Sequence, residues 1–191
     1  MTDKVNILAT TILSKGWAKL SKIEFDYKRN DYKVEKQVRE VYDRGDGATI
    51  LLFNKKTKSV VLTRQFRMPA YLNGVKTGMI IETCAGMLDE NNPEDCIKKE
   101  IEEETGYKIE NVKKIFDCFM SPGACTEIIH FFIGEYDAEN KISEGGGLAS
   151  ESEEIEVLEM PFSEAMVMIK NGEIKDAKTI MLLQYAAMNV F

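Results

Sequence analysis

Residues 98–104 read Lys-Lys-Glu-Ile-Glu-Glu-Glu, and these glutamates are the residues best suited to chemistry. Glu100 and Glu104 are four apart and Glu103 is three from Glu100, so a helix brings them to one side. Near a helix C-terminus such acids oppose the macrodipole by about 0.3–1 kcal/mol each at exposed sites, and the like-charged pair Glu100/Glu104 adds repulsion. Lysines would stabilise the same positions. Two readings stay open: a solvated charged face, or a face that binds something cationic. Carboxylates in twos and threes, without His or Cys, are ligands of hard divalent cations such as Mg2+ or Mn2+.

The rest of the composition removes competing chemistries. The single histidine, His130, sits in the apolar run His130-Phe131-Phe132-Ile133 and reads as a hydrogen-bonded strand residue. The cysteines Cys84, Cys96, Cys118 and Cys125 have no CxxC spacing, so zinc-ribbon and thioredoxin chemistry lack support. Reduced thiols and a cytosolic setting are the expectation. GxSxG, GxGxxG and GxxxxGK[ST] are absent. Lys and Arg total 25 against 32 acids, a net charge of −7, which argues against nucleic acid as a partner. No apolar run suits a membrane span, and the N-terminus does not read as a signal peptide. At 191 residues and 44% hydrophobic content, the chain can bury a core without disulfides. Any catalysis here runs on carboxylates.

The elements that must position these acids follow from patterning. The first forty-odd residues read as strands, with partial alternation over Trp17–Lys28, a turn at Asn30-Asp31 and a returning partner over Lys33–Tyr42. Ala48–Phe53 and Ser59–Phe66 are β-rich runs joined by a polar turn, and an apolar run spans Met79–Ala85. Asn92 caps a helix with Pro93 at its first position, and Gly106 stops it. Strands over Val112–Met120 and Ile128–Tyr136 flank Ser121-Pro122-Gly123. A polar loop, 137–153, carries Gly145-Gly146-Gly147. Then come a strand at Ile155–Met160, a helix capped by Ser163 and ending near Asn171, and a last helix over Ala177–Met188. This order predicts an α+β (mixed α/β) fold with a mixed sheet.

The stretch from Gly86 to Tyr107 resembles the Nudix box, a loop-helix-loop that ends in Arg-Glu-aliphatic-x-Glu-Glu-x-Gly-aliphatic. Here the end reads Lys99-Glu100-Ile101-Glu102-Glu103-Glu104-Thr105-Gly106-Tyr107. Lys99 stands for arginine, Tyr107 for the aliphatic residue and Asn92 for an earlier glutamate, and the segment is one residue short. Further likeness is carried by Arg39-Glu40-Val41-Tyr42-Asp43-Arg44-Gly45, Arg64-Gln65-Phe66-Arg67, Ser121-Pro122-Gly123 and Thr126-Glu127 with the apolar run after it. The whole chain is similar to the nucleoside-diphosphosugar pyrophosphatases of the Nudix superfamily, and most of all to members that cleave GDP-mannose. That resemblance implies a Nudix α/β/α sandwich over 46–191 and an N-terminal antiparallel β-region over 1–45. It also implies a homodimer that exchanges its N-terminal parts.

The resemblance further implies a site. Mg2+, with Mn2+ as an alternative, is held by Glu100, Glu104, Glu153 and the Ala85 carbonyl. Catalytic carboxylates come from Glu103, Glu104 and Glu153, with Glu151 the runner-up for Glu153. Substrate contacts fall on Trp17, Val38, Arg39, Glu40, Arg67, Ala85, Gly86, Met87, Glu104, Glu127, Ser152, Glu153 and Lys178. Arginine suits bidentate phosphate contact. Trp17 is the only tryptophan; core or dimer packing and stacking on a base both fit it. The implied reaction is Mg-dependent cleavage of GDP-mannose to GMP and mannose 1-phosphate. The box and Ser121-Pro122-Gly123 do not read the base or sugar, so ADP-ribose is an alternative. A non-catalytic Nudix-fold sensor of nucleotide sugars is a reading of another class; Asn92 and Lys99 favour it, and intact Glu100, Glu103 and Glu104 oppose it.

Overall fold

The computed structural model describes residues 4–88 and 92–191, and of Glu151 only the backbone. Asp89, Glu90 and Asn91 of the box lie outside the described residues, as do the first three residues. The chain divides into two compact units, one running to Asp46 and taking in Phe119–Ile128, the other made of Gly47–Cys118 and Ile129–Phe191.

Among the described residues the first unit carries a three-stranded antiparallel sheet, β1 (Val5–Lys15), β2 (Lys19–Lys28) and β3 (Val34–Asp43), with β2 in the middle. A two-stranded hairpin is the sequence expectation here. The third strand comes from the β-branched and apolar residues of Val5–Lys15, which pair with β2 through two register shifts. Every residue of β1 is exposed, including Val5, Ile7, Leu8, Ile12 and Leu13. Backbone bonds between Tyr42 and the 124–126 stretch attach Ser121-Pro122-Gly123 to this unit.

The second unit is built on β4 (Gly47–Asn54), β5 (Ser59–Phe66), β6 (Met79–Glu82), β7 (Ala85–Met87), β8 (Val112–Phe119), β9 (Ile128–Glu135) and β10 (Glu156–Pro161). Among the described residues these form a seven-stranded sheet in which β4 runs parallel to β9 and antiparallel to β5 and β7. β4 is buried at every position, as a central strand covered on both faces must be. Its period of two sends Ile50 and Leu52 into a cluster with Ile97 and Ile101 of the box helix. Phe53, out of step with them, meets Phe191 edge-on beyond the last helix. Helices therefore cover both faces, and the fold is the mixed-sheet α+β sandwich.

The helices are α1 (Met68–Leu72), α2 (Pro93–Glu100), α3 (Phe162–Asn171) and α4 (Ala177–Asn189). Among the described residues, no helix is long and apolar enough to cross a membrane. Four local expectations change. The single run Met79–Ala85 is two strands, β6 and β7, because Thr83 and Cys84 break the ladder between them. α1 has no sequence signal beyond Pro69 in its first turn. α3 starts at Phe162 after Pro161 with no side-chain cap, so Ser163 lies inside the helix. The box helix is α-helical only to Glu100 and then widens to a π turn over Ile101–Thr105, before Gly106 ends it at φ 75°. Such π turns recur at functional sites because they redirect one turn of side chains.

Candidate active site

α2 begins as the sequence dictates. The Asn92 side chain accepts hydrogen bonds from the Glu94 and Asp95 amides, and Glu94 and Asp95 occupy the favourable first turn. Asn92 is thus a working cap where the box has glutamate. At the other end, the π turn carries Glu104 inward until it is 2% exposed. Its carboxylate accepts the Ala85 amide at 3.3 Å and a bond from the Cys84 thiol. Burial, with the neighbouring charges of Glu100 and Glu153, pushes the Glu104 carboxyl up to about 8, although the thiol and the amide pull the other way. Burial also raises the Cys84 thiol, and Glu104 adds to the effect.

Glu100 and Glu153 reach this point from different elements. Glu100 lies so close to Gly86 that a Cβ there would stand 2.1 Å from a carboxylate oxygen, so any side chain at this position would push the Glu100 carboxylate aside. Glu153 is half-buried and accepts the Leu148 amide at 3.0 Å. Its runner-up Glu151 has its side chain outside the described residues. The 145–147 glycines pack the loop against the end of the box helix. All have positive φ, and the amides of Gly146 and Gly147 bond the carbonyls of Glu104 and Glu103 at 2.9 and 3.0 Å. They cap the carbonyls that the box helix leaves open, and a side chain on Gly145 would strike the Glu104 carbonyl at 2.5 Å.

The stretch Glu82 to Gly86 gathers the rest. Glu82, almost buried, accepts both Arg67 Nε and Nη2 at 2.9 and 2.8 Å. The Thr83 amide bonds Thr179 Oγ1 at 2.7 Å, and Thr83 Oγ1 bonds Thr49 Oγ1 at 2.9 Å. Asp176 caps α4 through Thr179 and holds Lys178 Nζ at 2.7 Å. Arg67 and Lys178 are therefore each set by an acid, and each acid or its neighbour is tied to the same strip. Sequence reasoning missed Glu82, Thr83, Cys84 and Asp176. The available signal was a charged and a hydroxyl residue inside the apolar run Met79–Ala85.

Of the expected site residues, the structure brings Glu100, Glu104, Glu153, Ala85 and Gly86 together. Met87 follows in β7, and its carbonyl accepts the Cys96 thiol. Ser152 stands at φ 59°, left-handed, where it turns the chain toward Glu153. Glu103 points elsewhere, pairing with Lys99 at 3.1 Å. Trp17, Val38, Arg39, Glu40 and Glu127 belong to the first unit. Val38, Arg39 and Glu40 lie on β3, exposed, with Arg39 bonded to the Val38 carbonyl and the Gln37 side chain. Glu127 is paired with Arg44, and Trp17 sits in the β1–β2 turn. His130 bonds Asp117 at 2.6 Å, a satisfied strand histidine.

Among the described residues, no trio of His, Cys, Asp or Glu is drawn in to metal-ligand spacing. The donor chemistry nevertheless fits a hard divalent cation: a buried carboxyl beside two further carboxylates, accepting bonds from a thiol and an amide. A cation there would offset both the burial and the neighbouring carboxylate charges that raise the Glu104 carboxyl.

Comparison with known proteins agrees. Residues 43–183 match the family model described as NUDIX domain. Residues 4–42 match the one described as GDP-mannose pyrophosphatase NudK N-terminal domain. The chain is 55% identical over 186 residues to a GDP-mannose pyrophosphatase of Pectobacterium atrosepticum, covering 97% of this chain and 95% of that one. To the protein of that name from Yersinia enterocolitica it is 53% identical, with 97% and 96% covered. To that from Escherichia coli O157:H7 it is 52% identical over 189 residues, with 99% and 98% covered. A domain model spanning most of the sequence, matched where the box helix buries its carboxylate, settles the family: this chain belongs to the Nudix hydrolases.

Proposed function

We propose that the protein hydrolyses the pyrophosphate bond of GDP-mannose, giving GMP and mannose 1-phosphate, with Mg2+ as the cation and Mn2+ as an alternative. Near-full-length identity of 52–55% to proteins named GDP-mannose pyrophosphatase is the observation that carries this substrate. The geometry supports the reaction class. Glu100, Glu104, Glu153 and the Ala85 carbonyl would hold the cation, which when bound screens the diphosphate and sharpens the acidity of nearby water.

The remaining work falls to this chain. Arg67 and Lys178 offset charge on the phosphoryl oxygens, and Glu82 and Asp176 keep them aimed. Glu153 takes the proton as the water oxygen bonds to phosphorus and the P–O bond of the bridging oxygen breaks. Glu153 is favoured over Glu103 because Lys99 already engages Glu103. The glycine cap on the box helix holds the Glu153 loop against Glu104. Trp17 stacks on the guanine, and Val38, Arg39, Glu40, Glu127 and Ser152 contact the remainder of the substrate. A homodimer with exchanged N-terminal parts is part of this reading. The wholly exposed apolar β1 supports it, since such a strand needs a partner surface.

A panel of nucleotide sugars at fixed Mg2+, with products identified by chromatography, tests the proposal. GDP-mannose is expected to give the highest kcat/KM and to release GMP. A higher kcat/KM for ADP-ribose would replace GDP-mannose as substrate, and no turnover of any member would support the sensor reading instead.

A further inference from the structure

Trp17 is 71% exposed, with a guanidinium set over one face of its ring. The guanidinium carbon of Arg44 lies 5.3 Å from the ring centroid. The same guanidinium reaches Glu127, with Nε 2.7 Å from Oε1. Both atoms are closed to water and, among the described residues, neither meets hydrogen-bond geometry with a partner, so charge is what joins them. Three stretches distant in sequence meet at this one side chain: the β1–β2 turn, the residues after β3, and the 119–128 stretch.

We propose that Arg44 is a positioning residue for the nucleotide. It backs one face of Trp17, so that the open face is presented to a purine base, and through its ion pair it sets Glu127 for contact with the sugar or phosphate. The inference rests on the reading of Trp17 and Glu127 as substrate contacts. Arginine suits the role because its planar, weakly hydrated guanidinium stacks on a ring while its edge serves a carboxylate. Holding an exposed indole in place before binding removes part of the ordering cost that the ligand would otherwise meet. Lysine keeps the charge and loses the plane.

Trp17 is the sole tryptophan, so its fluorescence reports this site alone. The experiment titrates GDP into the full-length protein in EDTA, where no turnover occurs, and follows emission. Steady-state kinetics with GDP-mannose and Mg2+ run beside it, for wild type, Arg44→Ala, Arg44→Lys and Glu127→Gln. Removing the plane is expected to change Trp17 emission in the free protein. It is also expected to raise the GDP Kd and the KM about 5- to 10-fold with kcat within about twofold. Arg44→Lys keeps the pair with Glu127, so it stands in should Arg44→Ala fail to fold, and it still shows the raised KM. Glu127→Gln alters Trp17 emission in the wild-type background but not with Arg44→Ala or Arg44→Lys. Unchanged emission, or an unchanged KM in Arg44→Lys, overturns the proposal. So does a fall in kcat as large as the rise in KM, accompanied by a large fall in Tm. Wild type that cleaves GDP-mannose while its Trp17 emission ignores GDP also overturns it and leaves the hydrolase reading standing. Failure of wild type to cleave any nucleotide sugar sinks the reading on which it rests.

Discussion

Replacing Glu104 by glutamine separates the acid's cost to folding from its use in catalysis. The folded-state pKa is raised from 4.5 to about 8, chiefly by burial. An acid raised on folding contributes stability that is fully present below the unfolded value and is lost as pH rises through the folded one. The window is therefore pH 4.5 to about 8. Across it the metal-free protein should lose stability steadily from this group, on the order of 5 kcal/mol in all. Glu104→Gln keeps the shape and an oxygen for the Ala85 amide but carries no titrating proton. In EDTA its Tm should change less between pH 6 and pH 8 than that of wild type, by roughly 5–10 °C. At pH 8 the variant should be the more stable of the two. Mg2+ should then raise the Tm of wild type and leave the variant's nearly unchanged. Activity at saturating Mg2+ should fall about 100-fold or more. Parallel Tm profiles for the two proteins would refute the claim that Glu104 titrates in the fold. Near-wild-type turnover in the variant would refute its place in the cation site.

Three other perturbations follow from the same geometry. Gly86→Ala puts a Cβ 2.1 Å from the end of the Glu100 side chain, which is flexible enough to swing away. Calorimetry should show Tm within a few degrees while kcat/KM at limiting Mg2+ drops at least about tenfold. Gly145→Ala meets the Glu104 backbone carbonyl at 2.5 Å from a φ of 68°, and backbone cannot yield so easily. Chemical denaturation should register a loss of about 1–3 kcal/mol together with lost activity. Co-refolding Arg39→Ala with Glu104→Gln subunits should recover part of the activity, since under exchange a mixed dimer holds one site with both residues intact. Heterodimers that form and stay inactive would place both residues in one chain.

The helical face of glutamates was legible because it is local: a period of 3.6 converts the spacing of Glu100 and Glu104 directly into a shared face. The cap at Asn92, the stop at Gly106 and the buried β4 run were legible for the same reason. The macrodipole mismatch at the helix end likewise set a cation-binding face beside a solvated one as the two readings, without reference to any other segment. What the sequence could not carry is contact between segments far apart. The pairing of Arg67 with Glu82, the approach of Glu153 to Glu104, and the capping of the box helix by Gly146 and Gly147 all arise when segments apart in sequence pack on one sheet. The π turn belongs with them, because its wider ring keeps an ordinary sequence pattern and appears only once Glu104 is inward. Which glutamates face the helix's chemistry is written in residue spacing. Which of them loses its water, and so holds its proton to about pH 8, depends on the low-dielectric surroundings that only the tertiary structure assembles.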